Sequence, residues 1–294
     1  MFEGFERMRI ETSSSERVAI NLVRGGSGPP LLMLHGWPQT HVQWHRVAGA
    51  LAERFTVVCS DLRGHGDSTK PPGGERQANY SKRVMARDQI DVMERLGFSR
   101  FALVGHDRGA RVAFRLALDH PERLSRLALL DIAPTLTVLD SVDARSASAM
   151  YHWFFLTQPF DLPERLVGAD PEFYLRWHLR SWSGGRDDFF EPAAVAEYVR
   201  CFRDPAAIHS TTEDIRALAG IDAEDDRADL GRRRIRCPLL VLWAARWKEG
   251  DLLEPWRDWA DDVRGRGLDA GHFLAEECPE ETAAELLAFL AAAD

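Results

Sequence analysis

The segment Phe101–Arg111, FALVGHDRGAR, decides the fold of this chain. It begins with four apolar residues, which have the length and composition of a buried strand. Gly105 and Gly109 then flank a central Asp107, and a helix-like segment continues to Asp119. Strand, sharp turn and helix in this order predict a nucleophile elbow, G-x-Nu-x-G, with an aspartate in the nucleophile position.

Asp107 has two interpretations at this point. In the first, the turn lifts a carboxylate above the sheet, at the N-terminus of a helix whose free N–H groups favour negative charge, and this carboxylate attacks carbon. We expect the flanking glycines to be required because the φ/ψ values of the turn are hostile to a Cβ. In the second, the segment is an ordinary βα turn with a helix-capping aspartate. The rest of the chain favours the nucleophile.

Composition excludes several classes of function. The chain has 294 residues, 45% of them hydrophobic, which suffices for a large core. A formal charge of −9 argues against nucleic-acid binding, and no apolar run approaches the length of a membrane span. The four cysteines lie far apart without metal-ligand spacing, so we expect reduced thiols and neither a metal nor a cofactor. The charged N-terminus is unlike a signal peptide, so we predict a soluble, cytoplasmic protein.

Strands alternate with helices along most of the chain, which predicts an α/β fold with a mostly parallel, twisted sheet. The alternation stops after Asp131 and resumes near Cys237; between them only helical segments rich in aromatic residues are predicted. We therefore predict a core made of residues 1–131 and 230–294. Residues 132–229 would form an all-helical cap over the carboxyl ends of the strands, where open α/β sheets place their sites.

Asp107 has candidate catalytic partners further along the chain. His272 follows the last predicted strand and can act as a base. Asp131, at the end of the strand next to the elbow, can hold the second imidazole nitrogen, and we prefer it to its rival Asp251. The order nucleophile, acid, histidine is that of hydrolases with this elbow. The backbone N–H of Trp37 and that of the residue after the nucleophile would form an oxyanion hole.

Six motifs together resemble the fluoroacetate or haloacetate dehalogenases of the α/β-hydrolase superfamily. They are HGWPQT, DLRGHGDS, GHDRGAR, LLDIAPT, YHWFF and GLDAGHFLAEE, and the similarity runs from about residue 5 to the C-terminus. The resemblance implies the α/β-hydrolase fold, a homodimer, and a small anionic haloacid as substrate. It also implies an ester intermediate on the nucleophile and no cofactor.

The same resemblance assigns roles to individual residues. Asp107 is the nucleophile and Asp131 and His272 complete the triad; Arg108 and Arg111 bind the substrate carboxylate; His152 and Trp153 hold the leaving halide; Trp182 lines the pocket. Elementary chemistry agrees, because an anionic substrate repels a carboxylate nucleophile unless arginines neutralise it. A departing halide also requires N–H donors, which imidazole and indole supply.

Two positions depart from the family pattern. Trp37 stands where the family usually has Phe, and from the larger ring we expect a narrower or reshaped pocket. Ile215, in the segment TTEDIRA, stands where the family has a tyrosine that is the third halide donor. Because fluoride depends most on hydrogen bonding, we expect chloroacetate and bromoacetate to be preferred over fluoroacetate.

Two other functions remain open. An epoxide hydrolase shares the aspartate elbow, the HGxP motif and the cap, but it activates the epoxide oxygen with cap tyrosines. A carboxylate-binding homologue with little turnover would keep the pocket and lose the reaction.

Overall fold

The computed structural model describes residues 1–246 and 251–292. Within these ranges the chain forms an eight-stranded sheet in the order β1-β2-β4-β3-β5-β6-β7-β8. β2 pairs antiparallel with β1 and with β4, and the other neighbours pair in parallel. The mostly parallel sheet that the sequence predicts is therefore confirmed. The strands are β1 Glu6–Glu11, β2 Ala19–Gly25, β3 Pro30–Leu34, β4 Thr56–Ser60, β5 Phe101–His106, β6 Leu124–Leu130, β7 Leu239–Ala244 and β8 Val263–Leu268.

Both faces of the sheet are buried at its inner strands, whereas the edge strands β1 and β8 are partly exposed. Along β3, Leu32 and Leu34 pack into one apolar cluster, while Leu31 and Met33 pack into another on the opposite face. This division follows from the two-residue period of a strand. The helices of this part of the chain are α1 Ala48–Ala52, α2 Lys82–Arg95 and α3 Arg108–Asp119, and, after the helical region described next, α12 Leu253–Arg257, α13 Leu274–Glu277 and α14 Pro279–Leu290. None of the described helices is both long and apolar enough to cross a membrane.

The region between β6 and β7 contains helices and no strand, as the sequence predicts; all of its residues are described. Its helices are α4 Thr135–Asp140, α5 Ala144–Ala149, α6 Tyr151–Leu156, α7 Leu162–Ala169, α8 Pro171–Trp182, α9 Pro192–Phe202, α10 Pro205–Ala217 and α11 Ala223–Asp229. A third apolar cluster joins these helices to Trp37 and Phe273 of the sheet region. The exact division into a core of 1–131 and 230–294 and a cap of 132–229 stays a prediction.

One predicted helix is broken. The sequence suggests a single helix over 42–54, but the structure has a 3₁₀ turn, His41–Trp44, before α1. The side chain of Gln43 accepts a hydrogen bond from Gly36 N (2.8 Å), which ties this segment to the loop after β3. A local tertiary contact thus replaces the regular helix.

Candidate active site

The elbow lies between β5 and α3, and Asp107 occupies the turn alone with φ 45° and ψ −112°. The positive φ therefore falls on the aspartate itself, and the expectation that the glycines relieve it is wrong. Gly105 and Gly109 are needed for close packing instead. A Cβ on Gly105 would lie 2.6 Å from Ala110 Cα, and one on Gly109 would lie 2.4 Å from Leu34 O. The glycines let α3 approach β5 and β3 closely enough to hold the turn.

His272 and Asp131 form a hydrogen-bonded pair. His272 Nδ1 lies 2.6 Å from Asp131 Oδ2, and Ala244 N donates to Asp131 Oδ1 (2.9 Å). The rival Asp251 is exposed, and its Oδ1 accepts from Leu253 N (2.8 Å) at the start of α12. The carboxylate that orients the imidazole is thus at the end of β6.

Asp107 is partly buried and remains ionised. Burial alone would raise its pKa, but the charges of His272 and Arg108 outweigh burial and hold the pKa below its usual value. Trp37 N donates to Asp107 Oδ2 (2.9 Å). One carboxylate oxygen is therefore fixed by the backbone in the predicted oxyanion hole.

A cavity of about 210 Å³ opens above the elbow. Seven of the ten predicted site residues line it: Asp107, Arg111, Asp131, His152, Trp153, Trp182 and His272. The remaining lining is mainly apolar and comes from Ile132, Ala133, Val138, Ala149 and Met150, which the sequence did not single out. The cavity is small, and no tyrosine is among the described residues that line it.

Arg111 carries a positive charge into this cavity. It is buried, and its Nη1 donates to Thr135 Oγ1 (2.7 Å) and Ala133 O (3.4 Å), which are neutral acceptors. Among the described residues it forms no ion pair, and its Nε has no hydrogen-bond partner. Burial and the neighbouring Arg108 lower its pKa to about 10, so it is a cation at neutral pH. An anionic ligand would satisfy both its charge and its free N–H.

Arg108 is held differently. Its Nε donates to Asp214 Oδ2 (2.6 Å) and its Nη2 to Asp214 O (3.1 Å). Asp214 also pairs with the buried Lys82, which lies 3.4 Å from Asp222 Oδ2. Burial disfavours the charge of Arg108, but Asp214 outweighs this and raises its pKa. Arg108 does not line the cavity, and only its Nη1 is left without a partner among the described side chains.

Three aromatic side chains form a wall of the cavity. The Trp182 ring lies 4.8 Å from His152 and 5.2 Å from His272, centroid to centroid. Trp153 lies beside Arg111, whose Cζ is 5.0 Å from the indole centroid. Burial and the nearby His178 lower the pKa of His152 to about 3, so its ring is neutral and carries one N–H. This wall offers imidazole and indole donors to a ligand.

Trp37 and Ile215 lie outside the cavity lining. Both are buried and belong to the third apolar cluster, with Phe202 and Tyr198 from α9. The Trp37 ring is parallel to that of His152, with centroids 6.3 Å apart. Of the ten predicted residues, these two and Arg108 support the site from behind its lining.

Two supporting residues, His106 and Gln43, were not identified from the sequence. His106 Nε2 lies 2.8 Å from His272 O, and its Nδ1 lies 3.3 Å from Gln43 Oε1. His106 thus fixes the backbone of His272. Its position inside GHDRG was visible in the sequence, but only the fold brings His272 to it.

One group in the described residues has the geometry of a metal site. Glu164, His209 and Glu213 could direct ligand atoms to one point. Arg216 Nη1 lies 2.8 Å from Glu164 and 2.7 Å from Glu213. The guanidinium already balances these carboxylates, and the group lies outside the catalytic cavity.

A parallel sheet with an aspartate elbow and a histidine–aspartate pair defines an α/β hydrolase. Comparison with known proteins agrees. Residues 29–276 match the alpha/beta hydrolase fold family. A fluoroacetate dehalogenase from Burkholderia sp is 47% identical over 293 residues, which cover 99% of this chain and 95% of that protein. A soluble epoxide hydrolase from Corynebacterium sp. (strain C12) is 34% identical over 275 residues, which cover 92% and 93%.

Solved structures agree as well. A candidate α/β hydrolase from Nostoc sp PCC 7120 is 53% identical, with a TM-score of 0.96 over 100% of both chains. A variant of a candidate epoxide hydrolase from Pseudomonas aeruginosa, solved with bound MFA, is 47% identical, with a TM-score of 0.93 over 99% of this chain and 97% of that one. The chain therefore belongs to the α/β-hydrolase family and, within it, to the fluoroacetate and haloacetate dehalogenases, which confirms the predicted fold and resemblance.

Proposed function

We propose that this enzyme hydrolyses a 2-haloacetate to glycolate and halide through an ester on Asp107. The observation that carries the proposal is the composition of the 210 Å³ cavity. It combines an ionised aspartate, an arginine without a carboxylate partner among the described residues, and the imidazole and indole N–H donors of His152 and Trp153. These three features match the nucleophile, the substrate carboxylate and the leaving halide of one small molecule.

The first step is a displacement at carbon. Because Trp37 N holds Oδ2 of Asp107, Oδ1 is the atom that attacks. A bond forms between Oδ1 and Cα of the substrate, the carbon–halogen bond breaks, and the halide leaves with the electron pair. Arg111 supplies the positive charge that lets two carboxylates approach each other. Arg108 adds a donor through Nη1, while Asp214 compensates most of its charge.

The departing halide is stabilised by His152 and Trp153. Neutral imidazole and indole N–H groups suit an anion that forms during the reaction, because they offer hydrogen bonds without binding the free product as strongly as a fixed cation would. We propose two such donors, since Ile215 stands at the position of the family tyrosine. Chloroacetate and bromoacetate are then favoured over fluoroacetate.

The second step releases glycolate. His272 Nε2 is buried and has no hydrogen-bond partner among the described residues, so it is free to take a proton from water. The resulting hydroxide attacks the ester carbonyl carbon of Asp107, and Asp131 stabilises the imidazolium. The bond from this carbon to the glycolyl oxygen then breaks, and the leaving oxygen takes the proton from His272, which releases glycolate. The developing oxyanion accepts from Trp37 N–H and from the free backbone N–H of Arg108 at the first turn of α3.

Two alternatives are tested by the same experiment. The relative from Corynebacterium supports an epoxide hydrolase, but that chemistry needs hydroxyl donors, and no described tyrosine lines the cavity. A binding protein with little turnover would not need the His272–Asp131 pair.

Purified enzyme should therefore be incubated with chloroacetate, fluoroacetate and styrene oxide, with halide and diol assays. We expect halide release from chloroacetate; diol alone would favour the epoxide hydrolase, and neither product would favour the binding protein.

We also propose a homodimer formed through the surface of residues 154–177. Six exposed large apolar side chains fall in this range: Phe154, Phe160, Leu162, Leu166, Phe173 and Trp177. An exposed apolar surface of this kind is typical of an interface. Sedimentation analysis of the purified enzyme tests this proposal. The cytoplasmic location stays a prediction.

A further inference from the structure

A second, much smaller cavity lies between the helices α9 and α10 and the loops that follow β3 and β4. Its volume is about 10 Å³, which is room for about one water molecule. Trp37, Gln39 and His65 line it from the loops, and Thr211 lines it from α10. This cavity shares no lining residue with the catalytic cavity.

Four buried polar atoms in its lining have no hydrogen-bond partner within residues 1–246 and 251–292. They are Trp37 Nε1, Gln39 Oε1, His65 Nε2 and Thr211 Oγ1. Each of the four residues is at most 6% exposed. A buried polar atom without a partner destabilises the folded state, so four such atoms in residues around one cavity indicate a ligand that all of them share.

The hydrogen-bonding character of the four atoms identifies the ligand. An indole N–H only donates, and an amide oxygen only accepts. The Gln39 oxygen is assigned by its amide nitrogen, which donates to Glu276. The Thr211 hydroxyl can donate. Burial and the nearby His35 lower the pKa of His65 to about 3, so its ring is neutral and one nitrogen can accept.

With the proton of His65 on Nδ1, the tautomer that leaves Nε2 as an acceptor, the set contains two donors and two acceptors. A water molecule offers two of each, whereas an anion would need donors from all four residues and a cation would need acceptors. We propose that one water molecule binds here, accepting from Trp37 Nε1 and Thr211 Oγ1 and donating to Gln39 Oε1 and His65 Nε2.

The bound water joins the helical region to the catalytic machinery. Thr211 belongs to α10, while Trp37 provides the backbone N–H that lies 2.9 Å from Asp107 Oδ2. By holding the indole through Nε1, the water fixes the loop that forms the oxyanion hole. It acts as a positioning element, because the cavity it occupies is not the one that Asp107 lines.

A high-resolution crystal structure of the wild-type enzyme, with and without a bromide soak, tests the proposal directly. We expect one peak within about 2.7–3.2 Å of all four atoms, without anomalous signal from bromide. An anomalous bromide peak in the cavity would show a halide site and overturn the water assignment, as would a cavity without density.

Thr211→Val provides a second test, because valine keeps the shape of threonine and removes the hydroxyl, whereas Thr211→Ser keeps the hydroxyl and removes one methyl group. Valine removes one donor and should lower Tm by about 2–4 °C, whereas serine keeps the donor and should lower it by clearly less. The exposed Thr137→Val controls for the general effect of this substitution. A Tm for Thr211→Val that falls no more than that of Thr137→Val would contradict the proposal.

Discussion

Arg108 Nε and Asp214 Oδ2 lie 2.6 Å apart, both residues are buried, and this ion pair gives the two arginines near Asp107 different electrostatic surroundings. Arg111 has no ion pair among the described residues and therefore offers net charge to a ligand. Arg108 is neutralised by a carboxylate from α10 and offers a fixed donor. The two arginines are three residues apart and look equivalent in the sequence. In the structure they differ in the net charge that each offers to a ligand.

Asp214→Asn tests whether this ion pair positions Arg108. The change removes the carboxylate that balances the charges of Arg108 and Lys82. Breaking a buried ion pair of this kind lowers the free energy of unfolding by about 3–5 kcal/mol. We expect kcat/KM for chloroacetate to fall at least about 10-fold, with a smaller loss for neutral chloroacetamide. The double variant Lys82→Met/Asp214→Asn removes one uncompensated cation, so it should regain stability. If it also regained full activity on chloroacetate, Asp214 would have only a structural role.

Arg111→Lys keeps a positive charge but loses the planar fork that grips a carboxylate. We expect kcat/KM for chloroacetate to fall about 10- to 100-fold, equivalent to about 1.4–2.8 kcal/mol. Steady-state kinetics with chloroacetamide provide the control, since this substrate has no carboxylate. Equal losses on both substrates would mean that Arg111 only supports the fold.

His272→Ala should separate the two chemical steps. The base serves only ester hydrolysis, so the variant should release one equivalent of chloride and then stop. Intact-protein and peptide mass spectrometry should find one glycolyl adduct, on Asp107. In the wild-type enzyme, a single turnover in ¹⁸O-labelled water should place the heavy oxygen in Asp107 rather than in glycolate. Label found only in glycolate would exclude the ester.

Ile215→Tyr addresses the choice of halogen. A hydrogen bond to a charged group is worth about 1.5–3 kcal/mol, or about 10- to 100-fold in rate. We expect the wild-type enzyme to prefer chloroacetate over fluoroacetate and the variant to narrow the ratio of kcat/KM values. Ile215→Phe is the matched control, because it adds the ring without the hydroxyl. If the wild-type enzyme already defluorinates as well as it dechlorinates, the preference proposed from Ile215 is wrong.

Glu276 makes stability depend on pH. Burial raises its pKa from 4.5 to about 8, although the Tyr198 hydroxyl donates to it (3.1 Å). The folded state then holds this proton more tightly than the unfolded state, so its stabilising contribution is complete below about pH 4.5. It is lost as the pH rises towards 8. Urea unfolding at pH 5 and pH 8 should show the wild-type enzyme less stable at pH 8. Glu276→Gln should reduce this difference, and the exposed Glu280→Gln should leave it unchanged.

Several features of the site could be predicted from local sequence alone. The strand, elbow and helix around Asp107 lie within nineteen consecutive residues, 101–119, and their apolar pattern and glycines are readable without a partner. Asp131 and His272 were found because each follows a strand, and parallel strands end at one edge of a sheet. The physical reason for the glycines was not readable. It depends on how closely α3 packs against β5 and β3, which is a tertiary distance.

The sequence by itself predicted the order of the main features along the chain. These are the elbow at Asp107, an aspartate and a histidine after later strands, and the helical insertion. Only the tertiary structure decided which side chains share a cavity and which partner each charge finds. Arg108 pairs with Asp214, which lies 106 positions later in the sequence. Trp37 and Thr211 line the same cavity between α10 and the loop after β3. Local patterns follow from the repeat of a strand or helix, whereas hydrogen bonds and ion pairs between distant residues depend on ångström-scale packing of whole elements, which no local pattern specifies.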